Sequence, residues 1–148
     1  MYKHILIATD GSKLAAKAIK GGVKLAAAVG ARVTGVYVIP PYVPPVYGEA
    51  AIYVPEVTPK RYKELSEREA KKALARVEVE AQTAKVACRT VYPVSDAAWR
   101  GIIRIASSKK CDLIVMASHG RGGLASLILG SETTKVLAHS KIPVLVCR

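Results

Sequence analysis

The sequence predicts a single doubly wound α/β domain, a five-stranded parallel sheet in the order 3-2-1-4-5 with helices on both faces. Three observations point to it. Short apolar runs alternate along the chain with longer Ala-rich or amphipathic stretches of helical period. Capping residues, glycines and prolines mark the changes between them. The chain has 148 residues, 51% of them apolar, enough for one two-faced core and the size at which one domain over 1–148 is expected. Strands that alternate with helices need right-handed crossovers, which place them parallel and sandwich the sheet.

The elements follow in order. Residues 4–9, HILIAT, form an apolar run too short for a helix and suited to a strand covered on both faces. Asp10, Gly11 and Ser12 end it, and Ser12 as N-cap opens an Ala-rich helix that reaches about Val29, where Gly30 stops it. A second strand runs from about Arg32 to Ile39 and contains VTGVYVI. Residues 40–58 break the pattern with repeated prolines, far beyond the ~2–6 residues usual for such a connection. This insertion is either a surface excursion or a lid or partner-binding arm carrying Tyr42, Tyr47 and Tyr53. Thr58 followed by Pro59 starts a long charged helix to about Ala84. A third strand spans about Val86 to Tyr92, Ser95 or Asp96 caps a helix to about Ser108, and DLIVMAS is the fourth strand. A last helix ends near Ser140, and IPVLVCR closes the sheet.

The net charge of +12 raises the question of nucleic acid, but the cations are scattered and no recognition motif accompanies them. Lys13, Lys17, Lys20 and Lys24 lie opposite Ala16, Ile19, Val23 and Ala26, the pattern of a solvated helix face. No apolar run approaches the roughly 20 residues that span a bilayer, and the opening residues read as a buried strand, so a cytoplasmic protein with no membrane partner is expected. Cys88, Cys111 and Cys147 form no CxxC pair and are expected as small core hydrophobes, with no bound metal. His4 and His139 are read as structural or exposed, and Trp99 as packing.

In doubly wound sheets, ligands bind beyond the carboxyl ends of the strands where the order reverses. Here those ends are Thr9-Asp10 and Ala117-Ser118. Gly120, Gly122 and Gly123 follow the fourth strand, and Gly130-Ser131 precede the last helix. Glycines admit close backbone approach to an anion, and the helix N-terminus supplies N–H donors, so the segment reads as a phosphate cradle. Ser131 either caps that helix or bonds a phosphate oxygen. No GxxxxGK[ST] or GxGxxG is present, which argues against a P-loop or a dinucleotide fold.

From Ala117 the chain reads ASHG, nine residues, then GS. With the opening ATDGS and the closing KIPVLVCR, this resembles the universal stress protein family over essentially the whole chain. Its ATP-binding members carry G-x2-G-x9-G-[ST]. The resemblance implies that Asp10 meets the ribose and adenine side, that backbone around Ala8, Thr9 and Val38 flanks the base, and that Gly120, Gly130 and Ser131 hold the phosphates. Met116, Ala117, His119, Arg121, Glu132 and Thr133 complete the expected nucleotide site. Ala117 stands at the motif's first glycine and fits if its φ is below zero. Glu132 suits the helix dipole but repels a polyphosphate unless a metal such as Mg²⁺ intervenes.

The expected function is an ATP-binding or other adenine-nucleotide-binding module of stress response or signalling, with little or no hydrolysis and no assigned catalytic residue. Two alternatives are a dimeric interaction module of the same fold that does not use nucleotide, and a slow ATPase using His119. A homodimer is expected through strand 142–147, whose apolar edge needs covering.

Overall fold

A computed structural model describes residues 1–44, 57–120 and 129–148. Five strands, β1 (His4–Ala8), β2 (Arg32–Val36), β3 (Cys88–Val91), β4 (Leu113–Ala117) and β5 (Val144–Cys147), alternate with four helices, α1 (Lys13–Val29), α2 (Pro59–Thr83), α3 (Ala98–Ser108) and α4 (Ser131–His139). The sheet order is β3-β2-β1-β4-β5, and every pairing is parallel. Ile5 pairs with Val33 on one side and Leu113 on the other, so β1 is central and fully buried.

Strand alternation divides the core between two layers. Ile5 and Ile7 face α1 and α2, packing with Ile19, Val23 and Val77. Leu6 and Ala8 face the opposite way, into a cluster with Ile102 of α3 and Val136 of α4. Gly22 lets α1 settle on the sheet, because a Cβ there would lie 2.8 Å from Ile7 Cδ1. The lysines of α1 at positions 13, 17, 20 and 24 are exposed, as their spacing predicts. No helix among the described residues is long and apolar enough to cross a membrane.

Local capping rules place most helix ends. Ser12 Oγ accepts the Ala15 N–H at 3.1 Å, Thr58 Oγ1 accepts that of Arg61 at 3.1 Å, and Gly30 ends α1 in the left-handed conformation at φ 70°. The start of α3 differs from expectation. Its N-cap is Ala97, which has no side chain able to cap, whereas Asp96 pairs with Arg100 at 2.8 Å. At α4 the N-cap is Gly130, so Ser131 is the first helical residue and not the cap. The second strand also ends early, at Val36. Beyond it pairing is reduced to the Tyr37 N–H bond to the Val91 carbonyl and the bonds around a bridge of Ile39 with Val94, because the prolines on both sides break the ladder.

The two described stems of the 40–58 insertion meet. Tyr42 Oη donates to the Val57 carbonyl at 2.9 Å, Tyr62 Oη donates to that of Pro40 at 2.6 Å, and the two rings lie 5.5 Å apart. Tyr42 is thus spent on closing the loop's base, while Tyr47 and Tyr53 lie outside the described residues. Of the cysteines, Cys111 is buried but Cys88 and Cys147 are half-exposed, because each sits on an edge strand.

At the amino end of the sheet, away from the carboxyl ends, Asp112 accepts the N–H groups of Lys3 and His4 at 2.8 and 3.0 Å. His4 is buried, with Nε2 2.8 Å from Thr34 Oγ1, while Nδ1 makes no well-formed hydrogen bond. Burial, with the Arg32 charge, holds this imidazole below its ordinary value of 6.5, only partly offset by the Lys109 backbone and Asp112. Burial likewise pushes the Cys111 thiol up to about 11.

Candidate functional site

The carboxyl ends of β1 and β4 separate as their chains leave for helices on opposite faces, and a cavity of about 490 Å³ opens there. That volume falls within the range of small-ligand sites. Its first wall is the turn after β1. Thr9 donates its N–H to Val36 at 3.0 Å, and its Oγ1 accepts the Gly11 N–H at 3.1 Å. Asp10 Oδ1 accepts the Ser12 N–H at 2.9 Å. These short-range bonds hold the turn against the start of α1, with Gly11 at φ 80°, a value that glycine tolerates best. Arg76 of α2 adds a bond to the Gly11 carbonyl at 3.2 Å.

The second wall is built from β4 and α4. Gly130 N–H donates to the Ser118 carbonyl at 2.8 Å, and Thr133 Oγ1 donates to that of Ala117 at 2.9 Å, which seats the start of α4 on the end of β4. Among the described residues no side chain caps α4, so its first-turn N–H groups and positive dipole end lie at the cavity without a side-chain acceptor. The two walls almost touch, for a Cβ on Gly120 would come 2.7 Å from Asp10 Oδ2. A Cβ on Gly130 would come 3.1 Å from the Ser118 carbonyl. A Cβ at either position would force its neighbour to give way.

Every described residue of the expected site lines this cavity. Ala8, Thr9 and Asp10 come from the end of β1, and Val38 from beyond β2. Met116, Ala117, His119 and Gly120 come from β4 and the turn after it, and Gly130 to Thr133 from the start of α4. Arg121, Gly122 and Gly123 lie outside the described residues. Ala117 is buried and does not have a positive φ, so an alanine is accommodated where the motif has glycine. His119 Nδ1 lies 3.0 Å from Ser118 Oγ, but Ser118 is only 2% exposed, so the contact orients the imidazole and does not create an accessible nucleophile.

Glu132 does something that spacing did not foretell. Its Oε2 accepts the Trp99 N–H at 2.8 Å, supplying from α4 the cap that α3 lacks, and its Oε1 lies 3.6 Å from Lys135 Nζ. The carboxylate bridges two helix N-termini at the cavity wall. Ala98 and Ile102 of α3, with Val36, Tyr37 and Pro40, also line the cavity and were not anticipated. The available signal was the i, i+4 pairing of Ala98 and Ile102 on the apolar face of α3. The Trp99 ring packs 4.6 Å from that of His139. The described residues bring together no group of three or more His, Cys, Asp or Glu able to hold a metal.

Comparison with known proteins bears directly on this architecture. The family model described as the universal stress protein family matches residues 1–148. A universal stress protein of Thermus aquaticus, encoded in the QAH/OAS sulfhydrylase 3' region, is 35% identical over 148 residues, covering 100% of both chains. Universal stress protein UspA from Lactobacillus plantarum superposes with a TM-score of 0.78 at 25% identity, covering 99% of this chain and 98% of that one. Two more solved structures share the fold: a universal stress protein in complex with cAMP, and one from Archaeoglobus fulgidus in complex with dAMP. Each has a TM-score of 0.71; identities are 22% and 18%, with coverage of 99% of this chain and 97% and 98% of theirs. The chain belongs to the universal stress protein family.

Proposed function

We propose that this chain binds an adenine nucleotide, ATP among them, in the cavity between β1 and β4, and acts in the cytoplasm as a module of stress response or signalling with little or no hydrolysis. The observation that carries this reading is the division of the cavity. Val36, Val38, Ile102 and Met116 offer an apolar slot suited to a base, and Asp10 offers a carboxylate suited to ribose hydroxyls. Gly120 and Gly130, with no side chain, admit close approach of an anion, and the uncapped start of α4 offers N–H donors suited to phosphate. Proteins of this fold have been solved with cAMP and dAMP, so the architecture is able to hold such ligands. A Mg²⁺ ion would be held mainly by the nucleotide, with Asp10 and Glu132 the carboxylates lining the cavity. Isothermal titration with AMP and with ATP, with and without Mg²⁺, tests the reading. Heat that saturates at or below millimolar nucleotide supports it, and no heat from folded protein refutes it.

A homodimer through the last strand accompanies this proposal. β5 is an edge strand, and Leu145 on it is 40% exposed. An apolar edge of this kind is covered when it meets its own copy. Light scattering that gives a monomer mass at every concentration would refute the dimer and leave nucleotide binding standing.

A further inference from the structure

We infer that Glu132 sets the phosphate-charge preference of the cavity, favouring nucleotides with one phosphate over triphosphates when no divalent cation is present. The inference rests on the nucleotide reading above and adds a selectivity to it. Glu132 is the second residue of α4 and lines the cavity beside Gly130 and Ser131. Its carboxylate cannot swing freely away, because Oε2 is held by the Trp99 N–H at 2.8 Å. That bond also fills the start of α3, where the N-cap Ala97 offers no side-chain acceptor. One first-turn donor of α3, the Trp99 N–H, is thus taken by the protein's own anion, which places a negative charge where a longer phosphate chain would meet this helix start.

Lys135 stands in the same relation. Its Nζ lies 3.6 Å from Glu132 Oε1 and one turn along α4, so its positive charge is engaged by Glu132 and not presented alone to a ligand. A triphosphate carries about two more negative charges than a monophosphate near neutral pH and extends further along this wall. The Glu132 side chain is 42% exposed, so water screens its field and the effect is one of grading, not exclusion.

Glu132→Gln separates charge from position, because the amide oxygen still accepts the Trp99 N–H while the charge is lost and Lys135 is released. The experiment titrates AMP and ATP into the full chain and into this variant by calorimetry, in chelator at low ionic strength. The expected result is that the ratio Kd(ATP)/Kd(AMP) falls on the order of fivefold in the variant. Lys135→Gln is expected to move the same ratio upward, since it leaves the carboxylate uncompensated. An unchanged ratio in both variants, or equal changes in both affinities, overturns the inference and leaves Glu132 as a helix clamp. Absence of AMP and ATP binding in the unmodified protein instead overturns the nucleotide reading on which it rests.

Discussion

Gly120→Ala is the sharpest probe of the site, because the space it fills is known. The added methyl would sit 2.7 Å from Asp10 Oδ2, closer than real Cβ atoms come to any neighbour, so one of the two walls must retreat by several tenths of an ångström. Gly120 lies just past β4, whose end is tied to α4 and β5 through Ser118. The Asp10 carboxylate is the softer partner, yet its Oδ1 is held at 2.9 Å by the Ser12 N–H. Relief therefore comes at the expense of that bond or by rotating Oδ2 out of the cavity. If Asp10 meets the nucleotide as proposed, either outcome removes a charge-assisted contact worth about 1.5–3 kcal/mol, and nucleotide affinity should fall roughly ten- to hundredfold. The fold should lose little, since neither residue belongs to the buried clusters. Calorimetric titration with AMP, paired with thermal unfolding, reads both quantities. Affinity within twofold of the parent protein would show that Asp10 does not face the ligand. A large drop in stability would show that the turn supports the core.

Other outcomes follow from the same geometry. Gly130→Asp places a side chain 3.1 Å from the Ser118 carbonyl and a negative charge at the start of α4, and it should abolish nucleotide binding in the same titration. Glu132→Ala removes the acceptor at Trp99 N–H and should cost about 1 kcal/mol, lowering Tm by roughly 2–4 °C in calorimetry. His4 should make stability depend on pH. Its folded pKa lies below its ordinary 6.5, so the unfolded chain binds the extra proton first. The contribution is then fully present above about pH 6.5 and is lost as pH falls through that value toward the folded pKa. Urea midpoints between pH 7.5 and 5.5 should drop more steeply for the parent than for His4→Gln, and parallel slopes would refute the assignment.

Much of this protein was legible residue by residue. Ser12, Gly30, Thr58 and Pro59 mark helix ends because capping is a matter of three or four neighbouring residues. The apolar runs HILIA and LIVMA announce strands covered on both faces because nothing polar interrupts them. The distance between Gly120 and Gly130 was equally visible, and with the strand order it located the cavity before any coordinates did. Where local rules failed, the deciding partner was distant in sequence. α3 begins at Ala98 against its own capping residues because the acceptor for its first turn is Glu132, delivered by α4. Ile102 reaches the cavity wall, and Asp10 meets Gly120, only because crossovers on opposite faces return β1 and β4 to adjacent places in the sheet. Sequence by itself determined the elements and the chemistry each could offer, since propensity, capping and alternation act within a few residues. Tertiary structure alone decided which of those groups converge, since convergence depends on how the strands are ordered and how each helix packs across them.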